Sequence, residues 1–105
     1  MSYEVRLTPE AKADLRGIFE YIAYELQSEQ NAVGQLDRLE RGIKSLDQMP
    51  ERFRIYEKEP WHSRNLRIMP IDYIVFYIPD HEENIVTVIR VIYGGRDIDS
   101  QLNKM

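Results

Sequence analysis

Ile85-Val86-Thr87-Val88-Ile89-Arg90-Val91-Ile92-Tyr93-Gly94-Gly95-Arg96-Asp97 is a β-branched run with one cation inside it, closed by a glycine pair and an Arg-Asp dipeptide. A run this apolar reads as a strand from the middle of a sheet. Arg90 is therefore placed beside a core, and Arg96 is presented at the rim of that core. A charge in such a place is unfavourable unless it is paired or reaches water. The end of this strand is the first place to look for function.

Upstream, Tyr73–Ile78 and Asn65–Met69 read as two further strands, separated by the turn-rich segments Pro70-Ile71-Asp72 and Pro79-Asp80-His81-Glu82-Glu83-Asn84. Both connections are short enough for hairpins, so the three strands are expected to form an antiparallel meander. Residues 51–63 hold charges, aromatics and a proline without periodicity, and read as an exposed loop.

At the N-terminal end, Tyr3, Val5 and Leu7 alternate with Glu4 and Arg6, the pattern of a half-buried strand. Thr8-Pro9-Glu10 then supplies a cap, a proline suited to the first helical position and an acid for the positive end of the dipole. Leu15, Ile18, Phe19, Ile22 and Leu26 make an apolar helical stripe. Ser28-Glu29-Gln30-Asn31 marks a break and a second start, and Ala32, Leu36, Leu39, Ile43 and Leu46 form a second stripe that stops at Met49-Pro50. Two helices with so short a link must pair antiparallel. The expected fold is α+β, in the order β-α-α-β-β-β, with a helical hairpin on one face of a small sheet that the N-terminal strand joins.

The 105 residues fit one domain, spanning 1–105. Cysteine is absent, which excludes disulfides, thiolate metal sites and cysteine nucleophiles. His62 and His81, the only histidines, lack partners at metal-ligand spacing, and both read as solvated loop residues. Gly94-Gly95 is not a phosphate loop, and Ser63 has no nucleophile-elbow context. No cofactor and no metal are expected. The apolar runs are too short for a membrane span and the first residues lack the core of a signal peptide, so a cytoplasmic protein without a membrane partner is expected.

The formal net charge is −4, distributed unevenly: nine acids against six Lys/Arg in residues 1–50, nine against eight in 51–105. Arginines cluster in 52–67 and 90–96. That leaves room for a local basic patch, but not for sequence-specific DNA binding by the chain alone. Arg64 and Arg67 flank one strand, Arg90 lies within another and Arg96 follows it. Three readings stay open. Each arginine can snorkel or pair with acids such as Asp72, Asp97 or Asp99; together they can grip phosphate; or they can dock a protein with help from Tyr56, Trp61, Tyr73, Tyr77 and Tyr93.

In its ordered combination, the chain resembles the RelE/ParE superfamily of type II toxin–antitoxin toxins. The resemblance runs through Tyr3-Glu4-Val5-Arg6-Leu7-Thr8-Pro9-Glu10-Ala11, Asp14-Leu15, Leu66-Arg67, Tyr73-Ile74-Val75-Phe76-Tyr77 and Val91-Ile92-Tyr93-Gly94-Gly95-Arg96-Asp97-Ile98. It implies a strand, two helices and a meander, and a toxin held inactive by a cognate antitoxin whose C-terminal segment wraps it; because exposed sheet edges invite strand addition, the apolar groove between the helical hairpin and the sheet edge is the expected antitoxin seat. RelE-like members cut mRNA on the ribosome with basic residues and a C-terminal tyrosine, which would give Arg96, Arg67 and His62 roles in binding or protonating RNA. Here the strand position for a further basic residue reads Tyr73, and the C-terminal tyrosine position reads Leu102. ParE-like members poison DNA gyrase and need no catalytic set. The ending Arg90–Ile98 looks more like theirs, with Tyr93 in place of a common histidine. The resemblance favours a gyrase inhibitor whose target-binding residues are Arg64, Arg67, Tyr73, Arg90, Arg96 and Asp97. The alternatives are a ribosome-dependent mRNA endonuclease and an inactive toxin-fold binding module.

Overall fold

In the computed structural model, described for residues 2–25, 27–71, 73–93, 100 and 102, the chain runs β1 (Glu4–Leu7), α1 (Pro9–Glu20), α2 (Glu29–Lys44), β2 (Arg67–Pro70), β3 (Ile74–Asp80) and β4 (Ile85–Ile92). The expected α+β architecture is observed. Thr8 Oγ1 accepts from the Ala11 amide at 3.0 Å and Pro9 opens α1; Ser28 Oγ accepts from the Asn31 amide at 3.3 Å and opens α2. Between them, Tyr21–Glu25 widens into a π-helical turn. Leu26, the last member of the first stripe, lies outside the described residues.

The four strands are ordered β1-β4-β3-β2. β2, β3 and β4 form the antiparallel meander, while β1 lies parallel to β4 in the register Glu4↔Ile85 to Leu7↔Val88. The β3–β4 ladder shifts between Phe76↔Arg90 and Tyr77↔Val88, leaving Ile89 as an extra residue on β4. A bulge of this kind changes which residues share a face. Val88 and Val91, three apart, both join the core under the helices, with Val75, Tyr77, Val86, Leu39, Ile43 and Leu46. Ile89 and Ile92 pack on the other side.

That other side is also a core, which corrects the reading of 51–63 as an exposed loop. Tyr56 and Trp61 are buried there with Leu66, Ile68, Phe76, Ile92 and Leu102, and the Tyr56 ring meets Phe76 edge-on at 5.8 Å. Backbone bonds from Tyr56 to Leu66 and from Ile68 to Arg54 lay the segment along the β2 edge, where it covers groups that a sheet edge would otherwise expose. On the helix side, α2 approaches so closely that a Cβ on Gly42 would lie 2.1 Å from Ile71 Cδ1. Among the described residues, no helix is long and apolar enough to cross a membrane.

Tyr77, fully buried, donates its phenolic proton to the Pro50 carbonyl at 2.6 Å and so fastens the 50–53 turn to the sheet. Burial pushes its pKa up from 10.0 to about 12, with Arg67 and Arg52 pulling the other way. A folded-state pKa above the unfolded one means that this contribution to stability is complete below about pH 10 and disappears as the pH rises towards 12. Tyr77→Phe is expected to lower stability by about 1–2 kcal/mol at neutral pH, because Pro50 O loses its donor. In urea denaturation across the alkaline range, the variant should also lose less stability than the wild type between pH 10 and 12.

Candidate functional site

The end of β4 is built around Asp14. Its carboxylate accepts from Arg90 Nε at 2.6 Å, from Arg90 Nη2 at 2.9 Å and from the Val91 amide at 2.9 Å. β1 stops pairing at Leu7↔Val88, so β4 continues past it with an open edge. Thr8 closes the first part of that edge, its amide donating to Val88 O at 3.0 Å and its hydroxyl to Ile89 O at 2.8 Å. Asp14, one turn into α1, closes the next part. The Arg90 and Asp14 side chains are only 15% and 16% exposed. Their bidentate bond raises the Arg90 pKa further above its ordinary value, against a smaller opposing effect of burial.

Beside this pair, a groove of ≈ 840 Å³ opens between α1 and the end of β4. Gly17 and Ile18 form part of one wall, Tyr73 and Tyr93 part of the other, and Tyr21 stands at the helix end. The Tyr73 and Tyr93 rings meet edge-on at 5.8 Å. Tyr93 is 57% exposed and Tyr21 54%, so large aromatic faces are offered to a partner. A Cβ on Gly17 would meet nothing within 4 Å.

The arginines read from sequence as one group are separated by the structure. Arg90 is not held outward; its partner is Asp14, whereas Asp72, Asp97 and Asp99, the acids suggested for pairing, lie outside the described residues. Arg67 is turned into the 51–53 turn, where Nη1 donates to Glu51 O at 2.9 Å and Phe53 O at 2.7 Å, and Nε is buried without a partner. Arg64 is exposed and stacks over Trp61, 5.2 Å from the ring centroid. His62 is exposed on the same turn. The Glu59 carboxyl is held below its ordinary pKa, first by the Ser63 hydroxyl (2.5 Å) and then by the Ser63 amide (2.7 Å). Tyr73 lines the groove. Arg96 and Asp97 lie outside the described residues.

Two residues with no sequence signal join this inventory. Asp14 sits 76 positions from Arg90, and nothing local marks it as the partner. His81, read as a solvated loop residue, bridges two elements: Nε2 lies 2.9 Å from Glu51 Oε1 and Nδ1 lies 2.7 Å from Tyr3 Oη. A carboxylate only accepts, so in the neutral ring Nε2 carries the proton and Nδ1 accepts from the phenol. Among the described residues no three His, Asp or Glu could hold a metal ion.

Residues 5–98 match the family model described as the ParE toxin of the type II toxin–antitoxin system, parDE. The chain belongs to the ParE toxin family. It is a type II toxin by that membership, and its fold agrees with those of three solved relatives. A chain of the chromosomal ParDE system from P. aeruginosa superposes with a TM-score of 0.71 at 16% identity, over 88% of this chain and 96% of that one. A chain of the RelBE2 toxin–antitoxin complex from Mycobacterium tuberculosis gives 0.63 at 20% identity, over 89% and 99%. A chain of the archaeal RelE–RelB complex from Pyrococcus horikoshii gives 0.58 at 16%, over 92% and 100%. At these identities the superpositions establish the fold alone. No curated protein sequence matches the chain.

Removing one member of a poorly exposed ion pair leaves the other charge stranded. Asp14→Ala is expected to lower stability by roughly 3 kcal/mol. Asp14→Ala combined with Arg90→Met should be less harmful than the sum of the two single changes, by about 1–3 kcal/mol in urea denaturation. Additive effects would mean that the pair is not formed in solution.

Proposed function

We propose that this ParE-family toxin, acting as a single cytoplasmic domain over residues 1–105, is neutralised by a cognate antitoxin and arrests growth by inhibiting DNA gyrase. The observation that carries the reading is the family match over residues 5–98, nearly the whole described domain. The geometry supports it in a second way. Arg67 and Arg90, two of the cations that an RNA-cleaving toxin would turn towards a phosphate, are committed to backbone carbonyls and to Asp14. Cleavage needs charge aimed at the developing transition state. A toxin that works by docking has no such requirement.

Purified toxin is expected to inhibit gyrase supercoiling of plasmid DNA and to leave ribosome-bound mRNA intact. Codon-dependent cuts with unaffected supercoiling would reverse the assignment and return Arg96, Arg67 and His62 to candidacy as catalytic residues.

The α1–β4 groove is the proposed antitoxin seat, since it offers exposed tyrosines beside an apolar floor and lies next to an end of β4 whose edge is only partly closed. Two of the superposed structures come from complexes of other proteins, the RelBE2 toxin–antitoxin complex and the archaeal RelE–RelB complex. A Cβ on Gly17 meets nothing within 4 Å, so Gly17→Phe extends a ring from the helix surface into the groove that Gly17 lines. It should leave the melting temperature within about 2 °C of wild type while weakening antitoxin binding about tenfold or more in calorimetry. Unchanged affinity would move the seat elsewhere.

A further inference from the structure

In the order β1-β4-β3-β2, β1 is an outermost strand of the sheet, and its parallel register with β4 fixes where its backbone groups point. The Glu4 amide donates to Asn84 O at 2.9 Å and the Thr8 amide to Val88 O at 3.0 Å, so Glu4, Arg6 and Thr8 turn their N–H and C=O groups to β4. Tyr3, Val5 and Leu7, which alternate with them, turn theirs outwards. Among the described residues, the Tyr3 amide alone of these outward groups meets a partner, Asp47 O at 2.8 Å. The Tyr3 carbonyl and both groups of Val5 and Leu7 make an open edge, the kind that another strand can extend.

The side chains of this edge sort by face. Tyr3, Val5 and Leu7 are half-buried and pack against the core under the helices. Glu4 and Arg6 lie on the opposite face, 58% and 61% exposed, and pair with each other. Charges on an edge strand ordinarily discourage pairing. Here the two signs alternate about Val5, which makes the strand complementary to itself. In an antiparallel pair centred on Val5, Glu4 stands opposite Arg6 of a second copy and Arg6 opposite its Glu4, while Tyr3 and Leu7 meet on the other face. A parallel pair in register would set Glu4 against Glu4 and Arg6 against Arg6, which is unfavourable. Antiparallel pairs centred on Glu4 or Arg6 are ruled out by the backbone, because those residues already give their peptide groups to β4.

We propose that β1 is a self-association edge, occupied by β1 of a second copy of this chain that runs antiparallel about a two-fold axis at Val5. The Val5 amide and carbonyl exchange bonds with the same groups of the second copy, and the Leu7 amide of each copy donates to Tyr3 O of the other. The Glu4–Arg6 pairs fall at the positions between these bonds, where side chains on paired strands come closest. The same patch serves both copies, so the contact closes on itself and joins two sheets into one. With four residues in β1, the contact is small, and the dimer is a transient one that depends on concentration. It does not depend on which target the toxin has.

The test is sedimentation equilibrium of the purified chain from about 10 µM to about 1 mM, with two charge variants and one backbone variant. Glu4 and Arg6 are exposed, so the charge variants keep the fold. Glu4→Arg leaves two cations on the edge and Arg6→Glu leaves two anions. Each variant alone sets like charges opposite one another and should dimerise at least about tenfold more weakly than wild type. An equimolar mixture of the two restores opposite signs across the strands and should associate about as well as wild type. A charge contact confined to one copy cannot be rescued by mixing. Val5→Pro removes an outward N–H and none that β4 uses, so this variant should fold and stay monomeric. A folded wild type that is monomeric up to about 1 mM overturns the proposal and leaves the edge to a strand from another protein. Dimers that the single charge variants form as tightly as wild type, or that mixing does not restore, also overturn it by placing the interface elsewhere.

Discussion

Three hydrogen bonds to one carboxylate hold the helical layer to the sheet at the point where the sheet would otherwise come undone. Asp14 accepts from one edge of the Arg90 guanidinium, through Nε and Nη2, and from the Val91 amide, at the place where β4 has outrun its parallel neighbour β1. A guanidinium within an apolar strand is tolerated because it is paired with good geometry and because the carboxylate's remaining capacity is used by the backbone. The same contact sets the distance between α1 and the end of β4, and therefore the groove lined by Tyr73, Tyr93 and Tyr21. What looks in sequence like a cation on offer is the fastening of α1 to the end of β4.

The segment between α2 and β2 is secured with equal care. Pro50, Glu51 and Phe53 each give a carbonyl to a side chain of the sheet, to Tyr77 or to Arg67, while His81 reaches the Glu51 side chain from the β3–β4 turn. These contacts hold a non-repetitive stretch against the second face of the sheet and make that face a second core. Both faces of the sheet are consequently packed, one under the helices and the other under this segment.

Much of the architecture was legible because local signals agreed with one another. Thr8-Pro9 and Ser28 announce helices whose apolar stripes have the right period, and the runs ending at Met69, Ile78 and Tyr93 lie within one or two residues of the observed β2, β3 and β4. Three features were out of reach. Tyr56 and Trp61 are buried by tertiary contact in a stretch without periodicity, so pattern alone could not distinguish them from exposed loop residues. The extra residue at Ile89 alters the alternation along β4, so a strict period of two assigns Val91 and Ile92 to the wrong faces. The partners of Arg90 and Arg67 lie 76 and up to 16 positions away, and one set consists of backbone carbonyls that no side-chain pattern encodes. The family resemblance conveyed the toxin fold, but not which arginines that fold consumes.

Hydrogen exchange at guanidinium groups, followed by nitrogen-15 NMR of the isolated toxin, examines the Asp14 tie at its own atoms. If the carboxylate holds Arg90 as described, the Arg90 Nε–H and the Val91 amide are protected, while the Nε–H groups of exposed Arg54 and Arg64 exchange rapidly. An Arg90 Nε–H that exchanges as fast as those two would show a guanidinium open to solvent, and the helical layer would need another attachment to the end of β4.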